Sequence, residues 1–237
     1  MNLILLFDED FVDENIVRLS GRRLHHVRDI HRAQAGDSLV VGKINGELGV
    51  GRIVKLDKNE LILEIELHSP PPAPLPLTLI LALPRPRVLN RTLIAATSMG
   101  VKQIYLVHTN RVEKSFWHSP VLEEDKIRDS LVLGLEQAKD TIMPIVHLRK
   151  KFRPFMEDAL PDIAKNTRKI VAHPDNLAQE IIREMQPTTL FVGPEGGFIP
   201  YEIEKLQSAG FHSFSLGERI LRVETAVPVL ITKLMSR

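Results

Sequence analysis

Two short segments in the last quarter of the chain carry the residues best suited to binding a ligand. The first is Gly193-Pro194-Glu195-Gly196-Gly197, and the second is Leu216-Gly217-Glu218-Arg219-Ile220-Leu221-Arg222-Val223-Glu224-Thr225-Ala226. Proline fixes its own φ, whereas glycine permits positive φ and lets a ligand approach the bare backbone. The chemistry predicted for these segments is therefore ligand binding through the main chain. Because a lone glycine-rich turn is weak evidence for a cofactor, ordinary strand-to-helix turns remain the alternative.

Each segment stands where a strand is expected to give way to a helix. The apolar run Thr189-Leu190-Phe191-Val192 is typical of a central strand in a parallel sheet. Pro200 suits the first position of a helix, and Gly210 suits the residue that ends one. The second segment repeats the arrangement, with a predicted strand at 211–216 and a helix at 223–234. Since open α/β sheets bind ligands at the carboxyl ends of their strands, both turns are expected to line one pocket.

Taken in order, the two segments resemble the signature of the RsmE family of ribosomal RNA methyltransferases. The matching residues are Gly-Pro-Glu-Gly-Gly-Phe at 193–198 and Leu-Gly-X-Arg-Ile-Leu-Arg-X-Glu-Thr-Ala at 216–226. That family belongs to the SPOUT superfamily, whose members bind S-adenosylmethionine in a C-terminal trefoil knot. The resemblance implies an α/β protein with a small N-terminal PUA-like β-barrel and a C-terminal SPOUT domain built on a mostly parallel sheet. The knot follows from the resemblance alone, because chains seldom thread loops.

The implied reaction is methyl transfer from S-adenosylmethionine to N3 of a uridine in 16S (small-subunit) ribosomal RNA. A His-Pro turn after a further predicted strand matches the family's own, although a plain loop is an equally open interpretation for the His173 side chain. The implied cofactor-binding residues are His173, Pro174, Gly193, Pro194, Glu195, Gly196, Gly197, Leu216, Gly217, Ile220, Leu221, Thr225 and Ala226. For Glu195, satisfying loop amides is the simpler alternative.

Two charged residues of the second segment are the catalytic candidates. Uracil N3 carries a proton at neutral pH, so the acceptor needs deprotonation or stabilisation of the forming anion. A guanidinium fixed beside a uracil oxygen would favour the charged transition state, which is the role predicted for Arg222. Glu224 is expected either to orient Arg222 or to serve as a base. Simple ion pairs, Arg222 with Glu224 or Arg219 with Glu218, are the alternative without a catalytic part.

The match to the family is uneven along the chain. Pro-Arg-Pro-Arg at 84–87 replaces a Lys-Gly-Asp-Lys-like turn, and residues 98–101 and 136–140 also differ. Val223 stands where the family has threonine. The donor-side turns are kept while the expected RNA-side positions differ, which leaves the target nucleotide open. This motivates a second hypothesis, a catalytically silent RNA-binding protein with the same fold. A different nucleotide ligand in the same turns has no motif in its favour.

A basic segment, 18–32, is the main candidate for RNA contact outside the turns. Clustered arginines release counterions and hold phosphates through bidentate bonds. In the RsmE family the corresponding segment lies in a PUA-like RNA-binding domain, although a solvated surface is the alternative. The RNA-binding candidates are Arg22, Arg23, His25, His26, Arg28 and Arg32, with Arg85 and Arg87 in the second domain. Metal binding by these histidines is not expected, for lack of carboxylates at familiar ligand spacing.

A proline-rich stretch marks the predicted domain boundary. The expected domains are 1–69, a linker at 70–76, and 77–237. The first is predicted to contain strands at 3–6 and 61–67 and a hairpin, 38–44 and 47–54, turning at Asn45-Gly46 in type I′ geometry. The second alternates strands and helices, which indicates a parallel sheet covered on both faces. Its further strands are predicted at 78–83, 103–108, 145–148 and 169–172, and its further helices at 88–99, along 127–138 and at 177–185.

Composition limits the remaining possibilities. The 237 residues are 43% hydrophobic and 26% charged, with a net charge of +1 that does not by itself announce a nucleic-acid binder. With no cysteine, disulfides and cysteine-ligated zinc are excluded. The apolar start, 1–7, lacks a basic region and meets three acids at 8–10, so we expect a cytoplasmic protein without a membrane segment. No Walker A or hydrolase motif is present. The resemblance further implies a homodimer, with the helix at 223–234 as a candidate contact, and no metal.

Overall fold

The computed structural model of the chain describes residues 2–174 and 185–235. The helix predicted at 177–185 falls almost entirely outside these residues. The chain divides into two compact units, of which the first is Met1–Ala73 with Val132–Met143 and the second is Pro74–Leu131 with Pro144–Arg237. Within the described ranges, no helix is long and apolar enough to cross a membrane.

The first unit is built on one six-stranded sheet. Its strands are β1 (Ile4–Leu6), β2 (Phe11–Asp13), β3 (Ile16–Leu19), β4 (Ser38–Lys43), β5 (Leu48–Leu56) and β6 (Leu61–Ser69). A short helix α1 (Gly21–His25) continues into a π-helical turn, His26–His31. The strand order is β1-β4-β5-β6-β3-β2, antiparallel except for the β1–β4 pair. The sheet is curled into a half-barrel with β1 and β2 at its edges, where the sequence predicted a small barrel.

Alternation along the strands builds the core of this half-barrel. Val41, Ile53 and Leu63 point inward and are buried with residues of α1 and the π-helical turn. Gly49 lies at a register shift between β5 and β6, and a Cβ there would stand 1.8 Å from the carbonyl oxygen of Glu66. The close backbone approach therefore requires glycine at that position.

The β4–β5 hairpin is confirmed, but its turn differs from the predicted type I′. Asn45 has a φ of 56°, whereas Gly46 does not have the positive φ that type I′ requires at both central residues. Hydrogen bonds with Thr141, in the same unit, hold the turn in this geometry. The backbone N–H of Asn45 donates to Thr141 O at 2.8 Å, and the Thr141 hydroxyl donates to Gly46 O at 2.5 Å. The tertiary contacts thus override the local preference of Asn-Gly.

The second unit contains the predicted parallel sheet, in the order β12-β10-β11-β7-β8-β9. Its strands are β7 (Leu77–Ala82), β8 (Gln103–Val107), β9 (Ile145–Arg149), β10 (Arg168–Ala172), β11 (Thr188–Val192) and β12 (His212–Phe214). Its helices are α2 (Pro86–Ser98), α4 (Phe152–Pro154), α5 (Leu160–Ile163), α6 (Pro200–Ser208) and α7 (Val223–Met235), while α3 (Glu124–Ala138) runs from this unit into the first. Every strand predicted in this region is confirmed to within about two residues at each end.

Burial on both faces explains why the central strands read as continuous apolar runs. Every residue of β11 is buried, and Phe191 packs edge-on against Phe198 and Phe211 on one face. Alternation turns Leu190 to the opposite face. Gly100, with φ 88°, follows the C-cap of α2, and Pro200 is the first residue of α6 as predicted. The parallel order brings the carboxyl ends of β12, β10, β11, β7 and β8 to one edge of the sheet.

Candidate functional site

The glycine turn after β11 has the backbone geometry that its sequence predicts. Gly197 has a φ of 72°, and its N–H donates to Pro194 O at 2.8 Å, which closes the reversal. A Cβ on Gly193 would lie 3.0 Å from the Phe198 ring, because the turn packs directly over this buried side chain. Glu195 and Gly196 are exposed at the tip of the turn. The main chain there is open to a ligand on its outer side.

A buried carboxylate that the sequence analysis missed holds this turn in place. Glu202, in the first turn of α6, is 2% exposed. Its Oε2 accepts the N–H of Ile199 at 3.0 Å, and its Oε1 accepts the N–H of Asn110, in the loop after β8, at 2.7 Å. One side chain therefore fixes both loops. The sequence indicates that Glu202 lies in the first turn of a helix. Nothing in the sequence indicates its bond to a loop 92 residues away.

Two further bonds join neighbouring loops to the same turn. The Arg111 guanidinium donates to Gly196 O, and its side chain lies so close that a Cβ on Gly196 would meet its Cδ at 3.2 Å. Glu195 Oε1 accepts the N–H of Arg85 at 3.1 Å, so this carboxylate does satisfy a loop amide. The side chains of Arg85 and Arg87 are exposed at the start of α2. Hydrogen bonds thus join the loops after β7, β8 and β11 to one another.

The second predicted turn, 216–222, lies exposed between β12 and α7. Gly217 has a φ of 104°, and Ile220 is 93% exposed. Among the described residues, the backbone N–H groups of 218–222 have no hydrogen-bond partner. Arg222 contributes its carbonyl to the start of α7, where it accepts the N–H groups of Thr225 and Ala226 at 2.9 and 2.8 Å. This segment therefore presents free main-chain donors, the kind of group predicted to hold the cofactor.

The His-Pro turn lies between these two turns at the same edge. His173 N–H donates to Phe214 O at 3.1 Å, which places the end of β10 beside the end of β12. Since β10 also pairs with β11, the ends of β11 and β12 are two strand spacings apart, about 10 Å. Pro174 is exposed. The structure thus brings all three predicted cofactor-binding segments to one edge.

The two predicted catalytic residues have different surroundings. Arg222 is exposed, whereas the Glu224 side chain is only 16% exposed. The ion partner of Glu224 is Arg91, 4.0 Å away, and not Arg222 as the simpler interpretation expected. Glu224 Oε2 is buried without a hydrogen-bond partner in the described part of the chain. A buried, unsatisfied carboxylate oxygen is costly and is typical of a site that a ligand completes.

In the first unit, the predicted RNA-binding arginines are engaged with carboxylates. Arg23 donates to both oxygens of Asp10 at 2.6 Å and to Leu5 O at 2.7 Å, and its side chain is only 16% exposed. Arg22 forms a two-bond pair with the buried Glu136 at 2.8 and 2.9 Å. These contacts give both arginines a structural part, so RNA contact by either stays a prediction.

The rest of this basic segment is more exposed. Arg28 donates to both oxygens of Asp29 at 2.7 and 3.0 Å, and this bond lowers the pKa of Asp29. His25 and Arg32 are exposed, and Arg32 has a left-handed φ of 53° at the end of the π-helical turn. His26 has a buried Nε2 without a partner, and burial lowers its pKa. Within residues 2–174 and 185–235 no cluster of His, Asp or Glu could hold a metal ion.

Comparison with known proteins identifies the family. Residues 71–235 match the family described as RNA methyltransferase domain. The ribosomal RNA small subunit methyltransferase E of Treponema pallidum is 30% identical over 230 residues, covering 94% of this chain and 86% of that protein. The chain belongs to the RsmE family. A relative with the same name, numbered 1, from Borreliella burgdorferi is 25% identical over 234 residues, which cover 95% of this chain and 94% of that protein.

Solved structures agree in fold over nearly the whole chain. The ribosomal RNA small subunit methyltransferase E of Neisseria gonorrhoeae, bound to S-adenosylmethionine, has a TM-score of 0.71 at 21% identity, with 97% of each chain covered. A putative methyltransferase of Legionella pneumophila, in complex with the same cofactor, has a TM-score of 0.72 at 21% identity, covering 99% of this chain and 97% of that one. The RsmE fold, inferred from two turns, is therefore confirmed.

One pair of side chains in this RsmE chain predicts a pH-dependent change beside the site. Trp117 Nε1 donates to Nδ1 of His108, at the end of β8, at 2.8 Å, so this nitrogen carries no proton. Burial, and then the charge of Lys114, lower the pKa of His108 from 6.5, while Glu202 acts in the opposite sense. The neutral form therefore stabilises the fold fully above about pH 6.5, and that contribution is lost as the pH falls through the lower pKa of the folded state.

We expect acidification to release Trp117 from His108. Protonation of Nδ1 removes the acceptor, and the emission of Trp117, the only tryptophan of the chain, should shift to the red as the pH falls below about 6.5 and through the lowered pKa of His108. Fluorescence titration measures this shift, with far-UV circular dichroism confirming that the protein stays folded. In His108→Gln the transition should vanish; a transition that persists there would assign it to another group.

Proposed function

We propose that the protein transfers a methyl group from S-adenosylmethionine to N3 of a uridine in 16S ribosomal RNA. The observation that carries this proposal is the assembly, at one edge of the sheet, of the two RsmE turns and the His-Pro turn. Family membership and the relatives that bind S-adenosylmethionine support the same reaction. Because the relatives act on small-subunit ribosomal RNA by name, we extend the proposal to a cytoplasmic enzyme that meets this RNA.

The residues at this edge fit such a cofactor. A nucleoside needs hydrogen-bond donors for its ring and ribose, and the N–H groups of 218–222 are open donors. The orphaned Glu224 Oε2 is an acceptor that a bound group would satisfy. Gly196 and Gly197 add no side chains of their own to the opposite turn, against which Arg111 packs. The cofactor supplies an activated methyl group on sulfur when bound, so the protein's tasks are alignment and the management of charge.

In this proposal Arg222 and Glu224 divide the work on the acceptor. Glu224 takes the proton that leaves N3, and the N3 lone pair forms the new bond to the methyl carbon as its bond to sulfur breaks. The Arg222 guanidinium stabilises the negative charge that develops on the uracil oxygens. We further propose that a second copy completes the enzyme as a homodimer through partly exposed apolar residues of α7, Pro228 and Val229. A knotted path at this edge remains an inference from the family.

The departure at Val223 does not favour the catalytically silent alternative. Val223, the first residue of α7, is 5% exposed, and Val227 one helical turn later is also buried, so the Val223 side chain lies in the core and not in the open turn. The exposed donors of 218–222 are unaffected by it. The altered turn at 84–87 lies next to Glu195 and adds two exposed arginines. Changed RNA contacts are therefore better supported than loss of catalysis.

Calorimetric titration with S-adenosylmethionine is the first test. We expect one binding site per subunit, weakened about 5- to 30-fold in Gly197→Ala, because a Cβ at φ 72° strains the turn by roughly 1–2 kcal/mol. Gly210→Ala is the matched control, since Gly210 has a φ of 86° at the end of α6, away from the turn. If the wild-type protein did not bind S-adenosylmethionine, the enzymatic function would be ruled out and the RNA-binding alternative would remain.

A further inference from the structure

We propose that a second basic surface, on the methyltransferase unit itself, binds the phosphate backbone of the substrate RNA. This surface, the β8–β9 surface, consists of Lys114, Trp117, Arg149, Lys150 and Lys151. It rests on the proposed function, because it supplies a place for the RNA next to the cofactor-binding turns. None of these residues was among the RNA-binding candidates of the sequence analysis.

Strand pairing and one side-chain bond bring the five residues together. β8 and β9 are parallel neighbours with Val107 opposite Arg149, and the N–H of His108 donates to Arg149 O at 3.0 Å. Trp117 is then fixed to His108 through its indole N–H at 2.8 Å. The Lys150 ammonium lies 6.0 Å from the centre of the Trp117 ring. The segment 149–151 and the turn 114–118 therefore form one continuous surface.

The positive charges of this surface lack acidic partners among residues 2–174 and 185–235. In the part of the chain that the structure describes, Lys114, Arg149, Lys150 and Lys151 form no ion pair, and all four are exposed. Among the described residues, the Arg149 guanidinium contacts the carbonyl of Leu148 at 3.2 Å and the Tyr105 ring at 5.9 Å. The exposed acid closest in sequence is Glu113, beside Lys114.

Three of the arginines predicted from the sequence to bind RNA, in contrast, have carboxylate partners. Arg22, Arg23 and Arg28 each direct two guanidinium nitrogens to a carboxylate, and Arg153, just beyond the β8–β9 surface, is likewise paired with Glu157. A paired guanidinium must give up its carboxylate before it can hold a phosphate, whereas an unpaired ammonium only releases its counterions. Binding therefore favours the surface whose charges are uncompensated.

The position and the aromatic residue of this surface also suit RNA. Proteins that hold single-stranded RNA combine basic side chains with aromatic rings on which bases stack. Trp117 is partly exposed, and its indole N–H is already fixed by His108. The ring therefore loses little mobility when a base stacks on it. In the strand order, β8 lies two positions from β11, about 10 Å from the glycine turn. An RNA strand crossing this surface would pass the edge where methyl transfer is proposed.

Salt dependence of RNA binding tests the β8–β9 surface. The double variant Lys150→Ala, Lys151→Ala should bind a small-subunit ribosomal RNA fragment at least about ten-fold more weakly at 0.15 M salt. The slope of log K against log salt concentration should also fall by roughly 1.4–1.8, the loss expected for two phosphate contacts. The matched control is Lys165→Ala, Lys233→Ala, which removes two exposed lysines at the opposite edge of the sheet. Equal affinity and slope in the two variants would overturn the proposal.

Trp117 gives an independent readout in the full-length protein. As the only tryptophan of the chain, it should be quenched by the RNA fragment with the same concentration dependence as binding. Emission that stays constant at saturating RNA would also overturn the proposal. Calorimetry with S-adenosylmethionine on the same variants separates this surface from the enzyme itself. If cofactor binding and methylation persist while the lysine variants bind RNA normally, this surface fails and the proposed function stands.

Discussion

Replacing Glu202 by alanine is expected to lower the free energy of unfolding by about 2–4 kcal/mol. The substitution leaves the N–H groups of Asn110 and Ile199 without their acceptors, and each unsatisfied buried group costs about 1–3 kcal/mol. We expect the lower part of the summed range, because both bonds are only partly buried and water can replace some of each. Urea denaturation followed by circular dichroism measures the change.

The same substitution should weaken cofactor binding, because Glu202 fixes two loops of the proposed site. Glu204→Ala is the matched control, since this glutamate is exposed on the same helix and its loss should change stability by less than about 0.5 kcal/mol. In Glu202→Gln one acceptor oxygen survives, so an intermediate stability is expected. If Glu202→Ala unfolded at the same urea concentration as Glu204→Ala, the carboxylate would not be holding the loops.

Local signals account for the parts of the fold that the sequence predicted well. The strands of the second unit are apolar runs bounded by glycine and proline, and their parallel order follows from alternation with helices. Pro200 marks the start of α6 and Gly210 follows its end, because the preferences of both residues are set by their own backbone. Each of these predictions depends on residues that are close in sequence, which is why it holds.

The features that were missed depend on contacts between distant residues. Val132–Met143 joins the first unit although α3 is continuous, because Leu135 packs with Leu3 and Leu5. The same segment braces the Asn45 turn and prevents the type I′ geometry. A helical pattern shows which face is apolar but not what covers it. No periodicity in the sequence could therefore have assigned this segment to the first unit.

The candidate site likewise contains features that could be predicted from nearby residues and features that could not. Its main-chain turns were predictable, because glycine and proline reveal where backbone is exposed to a ligand. The side chains that fix those turns were not, since the bonds of Arg111 and Glu202 span 85 and 92 residues. Long-range bonds are equally hidden among the basic residues, since charge density singled out Arg22 but gave no sign of its bond to Glu136, 114 residues away. Counting charges cannot distinguish an arginine with a buried partner from a lysine without one.

Arg222→Ala is expected to lower kcat for RNA methylation by about 10²–10³-fold, which is the effect of removing one group that stabilises charge in a transition state. Because Arg222 is exposed, and its carbonyl rather than its side chain opens α7, stability should change by less than about 0.5 kcal/mol. Affinity for S-adenosylmethionine should be retained, since the main chain of 216–222 is untouched. Transfer of a radiolabelled methyl group from the cofactor to ribosomal RNA measures kcat.

Arg219→Ala is the matched control, because Arg219 is exposed in the same turn and carries the same charge. A general attraction of RNA to this turn would make both variants raise KM by similar amounts while kcat stayed constant. A group that acts on the developing anion must instead lower kcat, since that interaction strengthens only as charge appears on the uracil oxygens. Arg222→Lys should recover part of the loss, because it restores the charge without the planar fork. If Arg222→Ala kept kcat within two-fold of the wild-type value, the Arg222 guanidinium would have no part in the chemistry. Arg91, the ion partner of Glu224, would then be the next candidate for stabilising the developing anion.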